Sequence, residues 1–461
     1  MTRLGSARGL MVFFFIWLGQ FGSLLGSDLT SFALSVVMYQ RTGSATSVGL
    51  ISASAVVLRI FVAPFAGALV DRWNRRRVMI LSDSASALGT LLIALLLLAG
   101  QIETWHVCLL VAVDSVCRAF QRPAYQAAIS LLVPKKHLGR ANGMVQVAYA
   151  VRQIAAPALA GALLMAIQAE GIVLVDFATF LLAIITLLMV RIPQPKPAIE
   201  KQEGKDSLLQ DISSGWTYLT MRRGLLALLA LVTMGNFTFG FIVPLFTPLV
   251  LSCGFSPAVL GQILAIGGVG MLVGSLIVSA WGGPKRRING LIVARLLEGV
   301  SIVLIGFGRS PVLFGAAAFS FFFALPFEGS SVRVIMQTKV AADMQGRVFS
   351  LMEMLGNVIL LIAYPAAGPL ADYVFEPLLS AEGALSDSVG MIIGVGPGRG
   401  VALLFVLSGL FLLGVSIGGY LYPRLRLVEN ELPDKVDDGR SLDSEGTGLA
   451  GSEGEEYVQP A

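Results

Sequence analysis

The sequence predicts an all-α membrane protein of twelve transmembrane helices in two six-helix pseudo-repeats, and three observations predict it. Hydrophobic residues make up 55% of the 461, charged residues only 13%, and mean hydropathy is +0.78; soluble domains carry about 25% charge. Apolar runs of the ~20 residues needed to cross a bilayer core recur along the chain. Of the 33 lysines and arginines, 24 sit in one set of alternate loops, and only Arg41, Arg309 and Arg399 sit in the other. Such an asymmetry is what the positive-inside rule requires of correctly counted spans, and it places both termini in the cytoplasm.

Glycine, proline and charge punctuation delimit spans near 10–38, 46–70, 78–100, 105–133, 141–168, 171–191, 224–252, 257–281, 289–308, 311–338, 347–374 and 400–422. The first run is too long for the apolar region of a signal peptide, so it reads as an uncleaved span. A polar break then divides the chain into a six-helix half at 1–192, a linker at 193–223, a second half at 224–425 and a tail at 426–461. In the linker, Leu209, Ile212, Trp216 and Leu219 can share one face, as in a helix lying along the membrane surface; the alternative is an unstructured linker. From Val428 to Ala461 the tail holds ten acids against Lys435 and Arg440, and it is expected to be disordered. The glycine-rich stretch 376–400 is an outside loop.

Landmarks recur at an offset of 207 residues: Gly67 and Gly274, Leu69 and Leu276, Gly139 and Gly346, Arg140 and Arg347, Gly161 and Gly368. Two repeat-built halves with a site between them are a transporter design. The excess of basic residues lies in short loops between apolar runs, which argues against nucleic acid as a partner. Cys108, Cys117, Cys253, His106 and His137 lack metal-ligand spacing. No HExxH, clustered histidine or nucleophile constellation supports an enzyme, and no GxxxxGK[ST] supports ATP drive. Neither a cofactor nor a metal is expected, and a monomer in the lipid bilayer is.

Charges inside spans face a bundle interior or a watery cavity, since lipid is too costly a neighbour. Asp114, Arg118 and Arg122 recur at i, i+4 and i+8 on one stripe of the fourth span, with Gln121 beside them. Asp28 lies in the first span near Gln20, Ser23, Ser27 and Ser31; Arg59, Glu298, Glu328, Arg333 and Glu353 are the other candidates. Each also reads as an interhelical pair that only holds the bundle together. Asp83, six residues after Arg77, reads as a partner of the basic loop.

The loop GALVDRWNRRR at 67–77 matches the signature G-x-x-x-D-R-x-x-R-R of the major facilitator superfamily at Gly67, Asp71, Arg72, Arg75 and Arg76. Gly67 would permit a close helix approach, and Asp71 at a helix end would hold one transport state. The second-half loop from Gly274 keeps the glycine and the bases but lacks the Asp-Arg pair. Arg118-x-x-Gln121 resembles the superfamily's fourth-span motif, with Arg122 in place of glycine. RQIAAPALAG at 152–161 resembles the antiporter motif at Pro157 and Gly161, with Arg152 at its first position. The segments GSDLTSFALSVVMYQRTGS, QRPAYQAAISLLVPKKHLGRANG and QGRVFSLMEM, with FEPLL and GPGRG, look like the bacterial efflux branch containing macrolide and enterobactin exporters.

The resemblance spans about residues 10 to 425. It implies the major facilitator fold, a cytoplasmic-membrane location and proton-driven export of an amphipathic small molecule. Acids lining the central cavity are then the candidates for proton coupling, Asp28 and Glu328 ahead of Asp114, with Arg118 and Arg333 as counter-charges. Glu328 stands at the 207-residue counterpart of Gln121. The competing readings are a facilitator-type importer of a small polar nutrient, a membrane-embedded enzyme and a non-transporting membrane sensor.

Overall fold

The computed structural model describes residues 6–134, 137–190 and 208–431. The N-terminal half comprises α1 (Ser6–Thr42), α2 (Ala45–Arg72), α3 (Arg75–Leu98), α4 (Thr104–Leu132) and α5 (Leu138–Met189). At 52 residues, a straight α5 would be about 78 Å long, against a hydrocarbon core of about 30 Å. It does not run straight. Gln168 takes φ 58° and ψ −176°, a combination that costs a non-glycine residue about 1–3 kcal/mol, and the chain turns back there. Leu138 and Leu187, from opposite ends of α5, therefore pack in one apolar cluster with Phe13, Met79 and Ile129. α5 is two spans, divided where the sequence places the break.

α6 (Leu208–Thr220) lies in the linker. Its Leu219 is buried against the C-terminal half, Gly215 lies against the Arg347 carbonyl, and Trp216 stays half exposed; the side chains of Leu209 and Ile212 lie outside the described residues. The second half continues with α7 (Arg223–Ser252), α8 (Pro257–Trp281), α9 (Arg287–Gly306) and α10 (Pro311–Lys339). Its fifth span is broken: α11 (Ala342–Val358), α12 (Leu360–Pro369), a π-helical turn at Leu370–Phe375 and α13 (Glu376–Leu378) follow one another. Pro365 and Pro369 each remove a backbone donor from the ladder, which is where helices kink and widen. After α14 (Val389–Ile393), the last span is α15 (Arg399–Leu421), and α16 (Pro423–Arg426) and α17 (Val428–Glu431) end the described chain.

Ten of these helices are long and apolar enough to cross a membrane, α5 counting once. Its second limb adds another span, and α4 is the twelfth, set apart by the charges it carries. The 376–400 loop is ordered rather than featureless: Leu379 and Ile393 are buried, the Gly396 amide donates to the Leu379 carbonyl at 3.0 Å, and Arg309 Nη2 donates to the Ile393 carbonyl at 3.1 Å. Glu376 accepts the Val401 amide at 3.3 Å, so the FEPLL and GPGRG segments meet at the start of α15. The tail needs a corrected start. Residues 426–431, assigned to it from the sequence, are packed: Val428 is fully buried, and Glu429 accepts the Arg287 and Ile288 amides at 3.0 Å each, capping α9. The sequence offered only its acidity as a guide there; residues 432–461 lie outside the described residues.

The two halves meet along two seams, α5 on α8 and α12 on α2. Both depend on glycine. A Cβ on Gly161 would lie 2.6 Å from the Pro257 carbonyl, Gly261 faces the Pro157 carbonyl, and a Cβ on Gly268 would lie 2.7 Å from the Gln153 carbonyl. Across the molecule Gly368 lies on the Thr46 backbone and faces Gly49. Asp372, in the π-turn, accepts the Ser44 hydroxyl at 2.6 Å, the Ala45 and Thr46 amides at 3.1 and 2.8 Å, and the Thr46 hydroxyl at 2.7 Å. It thus caps the N-terminus of α2 from the opposite half. At the basic end of the same helices, Gly67, Gly139, Gly143 and Gly346 have nothing within 4 Å of an added Cβ. The seams are closed at the end poor in bases and open at the basic end.

Candidate functional site

Four polar groupings lie inside the N-terminal half. At its centre Asp28 of α1 pairs with Arg152 of α5, at 2.6 Å from Nη2 and 2.8 Å from Nε. Beside it on α4, Arg118 Nε meets Asp114 at 2.5 Å, and Ser86 of α3 donates to the other Asp114 oxygen at 2.7 Å. Arg118 is also within electrostatic reach of Asp28 and Asp176. Deeper lies Asp83, wholly buried, accepting Gln20 Nε2 at 2.9 Å and also Gln121 Nε2, which itself reaches Gln20 Oε1 at 2.8 Å. Asp176, 2% exposed, accepts the Ser27 hydroxyl at 3.2 Å.

These placements change several expectations. Asp83 does not serve the basic loop; it faces away from it and closes an amide cluster joining α1, α3 and α4. The α4 stripe divides, with Asp114, Arg118 and Gln121 inside and Arg122 exposed. Asp176 gave no sequence signal beyond being an acid within a span.

In the C-terminal half, Arg295 of α9 is 3% exposed and lies between two acids. Its Nη2 meets Glu328 of α10 at 2.5 Å, and its Nη1 lies 3.6 Å from Glu298. Arg333, expected with Arg118 as a counter-charge to the cavity acids, is exposed, and Glu328 pairs with Arg295. Sequence reasoning passed over Arg295, although an arginine three residues before a glutamate inside a span was a usable signal. Arg59 and Glu353 are also exposed. The repeat carries over in outline: α3 and α4 hold the Asp83–Gln121 cluster, and their counterparts α9 and α10 hold the Arg295 cluster, with Glu328 at the position of Gln121.

The signature loop is partly structural here. α2 ends at Arg72, Asn74 Oδ1 caps α3 through the Arg77 amide at 3.2 Å, and Trp73 stacks on Phe120. Arg76 donates from Nε to the Leu187 carbonyl at 2.8 Å and from Nη2 to the Leu188 carbonyl at 2.7 Å. It therefore caps the last span of its own half. Arg75 begins α3. Gly67 makes no close helix approach in this conformation; that contact belongs to Gly274, which lies on the Phe323 backbone. The side chains of Asp71 and Arg72 lie outside the described residues. Pro157 and Gly161 of the antiporter-like segment form the α5–α8 seam, and its Arg152 is the partner of Asp28.

Comparison with known proteins decides the family: the model of the Major Facilitator Superfamily matches residues 16–364. The chain belongs to this superfamily. It is a major facilitator transporter and not an enzyme, and its two-seam bundle is the major facilitator fold. Among curated members it is 27% identical over 343 residues to Macrolide efflux protein A of Streptococcus pyogenes, covering 74% of this chain and 84% of that protein. It is 25% identical over 370 residues to the Multidrug efflux pump Tap of Mycolicibacterium fortuitum, covering 78% and 87%. Among solved major facilitator structures, the bacterial homologue of the human lysosomal transporter Spinster, inward-facing and unoccupied, superposes with a TM-score of 0.69 at 13% identity, covering 92% of this chain and 98% of that one. The nucleoside transporter NupG superposes with a TM-score of 0.65 at 15% identity, covering 89% and 99%.

Proposed function

We propose that this major facilitator protein is a secondary active exporter that moves an amphipathic small molecule, of the drug, macrolide or siderophore kind, outward in exchange for protons. The observation that carries the reading is the set of acids held inside both halves of an otherwise apolar bundle. Asp28, Asp114 and Glu328 each face an arginine on a span at 2.5–2.6 Å. Charges are retained in such a place at a cost of several kcal/mol, so a fold that keeps them in both halves uses them. The efflux relatives support the outward direction. Asp28, Asp114, Arg118, Gln121 and Glu328 are the proposed coupling and cavity residues, with Arg152 and Arg295 as the direct partners of Asp28 and Glu328, the latter in place of Arg333.

The transport cycle is alternating access of two rigid halves, 1–192 and 224–425, joined by the 193–223 linker, whose helix lies along the inner membrane face. Both termini and the basic loops are cytoplasmic, so the conformation closed at the base-poor end is loaded from inside. Asp71 and Arg72 form the latch on the basic side, and Gly161, Pro157 and Gly368 are the surfaces on which the halves rock. Counterflow of a panel of amphipathic compounds in proteoliposomes tests this reading. Exchange of macrolides or lipophilic dyes is the expected result; exchange only of small polar nutrients would replace the exporter by an importer.

A further inference from the structure

Val293, Leu297, Val300, Leu304 and Phe307 follow one another at spacings of three and four, so they form a single stripe along α9, and each is exposed. α10 and α15 cover the other side of the helix. An apolar stripe left open on a membrane span faces acyl chains. Two residues beyond its end, Arg309 Nη2 donates to the Ile393 carbonyl at 3.1 Å, which fixes α14 at the base-poor end of that stripe. α14 buries Gly390 and Ile393 but turns Met391 and Ile392 outward, 79% and 70% exposed, and Val395 is half exposed just after it. The backbone holds them there, since the Gly390 amide donates to the Leu385 carbonyl and the Gly394 amide to the Gly390 carbonyl, each at 2.8 Å. Water is a poor neighbour for such a projecting apolar face.

We propose that α14 and two flanking arginines form a phospholipid-binding surface, in which Met391, Ile392 and Val395 enter the leaflet at the base-poor end and Arg309 and Arg399 hold a lipid phosphate. Only three bases lie in the base-poor loops, and two of them converge here. A Cβ on Gly394 would lie 2.8 Å from Arg309 Nη2 and 3.5 Å from Arg399 Nε, so both side chains flank one glycine. Neither arginine forms an ion pair with an acid among the described residues, and Arg399 lies beside the Cys253 thiol. Two guanidinium groups brought together without a counter-ion suit the oxygens of a phosphate. The apolar face decides which phosphate. A free ion would use the arginines alone and leave Met391 and Ile392 in water, whereas a phospholipid offers headgroup and acyl chain at one boundary. The Arg309 bond and the α9 stripe place that boundary at α14.

The test is the depth of a nitroxide on Ile392→Cys, with Glu382→Cys of the same loop as reference. The full-length chain carries Cys108→Ser, Cys117→Ser and Cys253→Ser and is reconstituted in vesicles of phosphatidylethanolamine and phosphatidylglycerol. Electron-spin power saturation compares collisions with oxygen, which concentrates in lipid, and with a water-soluble nickel chelate. The label at 392 is expected about 5–10 Å below the headgroups, with an oxygen-to-chelate ratio several-fold above that at 382. Arg309→Gln with Arg399→Gln should move the 392 label toward water and lower its ratio. Met391→Asp, which puts a charge on the inserted face, should do the same and decides the matter if the double variant fails to fold. A 392 label as open to the chelate as the 382 label would overturn the surface, and exclusion of both reagents would replace lipid by a protein neighbour. A ratio unchanged in the folded arginine variant would overturn the phosphate contact.

Discussion

Asp28, Asp83, Asp114 and Asp176 meet the same difficulty, a carboxyl group inside an apolar bundle, with different partners. Asp28 and Asp114 each take an arginine, whereas Asp83 takes amide donors and Asp176 a hydroxyl. Asp28 keeps 29% of its side chain exposed and Arg152 15%, so their pair is worth less than the 3–5 kcal/mol lost on breaking a fully buried one. We expect Arg152→Ala to lower stability by about 1–3 kcal/mol and addition of Asp28→Asn to restore part of it, because the first change strands a carboxylate that the second removes. Thermal unfolding of the single and double variants measures the coupling; strictly additive losses would mean the pair carries no interaction. The sequence made the charged residues of the spans visible, but not their pairings. Asp28 and Arg152 are 124 positions apart, and only the fold brings α1 against α5. Asp83 was misassigned for the same reason: proximity in sequence favoured the basic loop, while helical rotation turned it towards Gln20 and Gln121.

At the scale of elements, the repeat explains the seams. Gly161 and Gly368, paired at the 207-residue offset, each place a backbone against the other half, Gly161 on α8 and Gly368 on α2. That equivalence was legible because glycine at a close approach cannot be replaced without displacement. The broken eleventh span was also written in the sequence, as Pro365 and Pro369 within 347–374, yet reads there as one continuous helix, because hydropathy registers length and not hydrogen-bond pattern. Asp372 gave no signal at all, since its partners at 44–46 lie in the other half. Its cap on α2 gathers four hydrogen bonds across the closed end, and it must break if the halves part there. Spin labels on Gln40→Cys and Glu382→Cys, exposed positions of opposite halves at that end, report the gap. Asp372→Ala should lengthen and broaden their distance distribution, and an unchanged distribution would show that the glycine seams hold the end closed by themselves.

For the whole molecule, twelve spans and their division into halves followed from composition, loop charge and repeat, because lipid permits few alternatives to an apolar helix of fixed length. The ordered start of the tail at 426–431 was hidden, since its packing depends on where α9 and α10 end. Side of the membrane is a separate question. Cysteines at Gly204 and Glu445 should be shielded from an impermeant thiol reagent in intact cells and one at Glu382 labelled; the reverse pattern would invert the topology. The central claim, that a proton gradient drives export through acids inside the bundle, is tested most directly by uphill transport. In proteoliposomes of the purified chain, an imposed pH gradient should drive accumulation of a macrolide or lipophilic dye against its own gradient. Collapsing the pH difference, or introducing Asp28→Asn or Glu328→Gln, should abolish that accumulation while downhill exchange continues. Undiminished uphill accumulation in the absence of the pH gradient, or in both variants, would contradict the account.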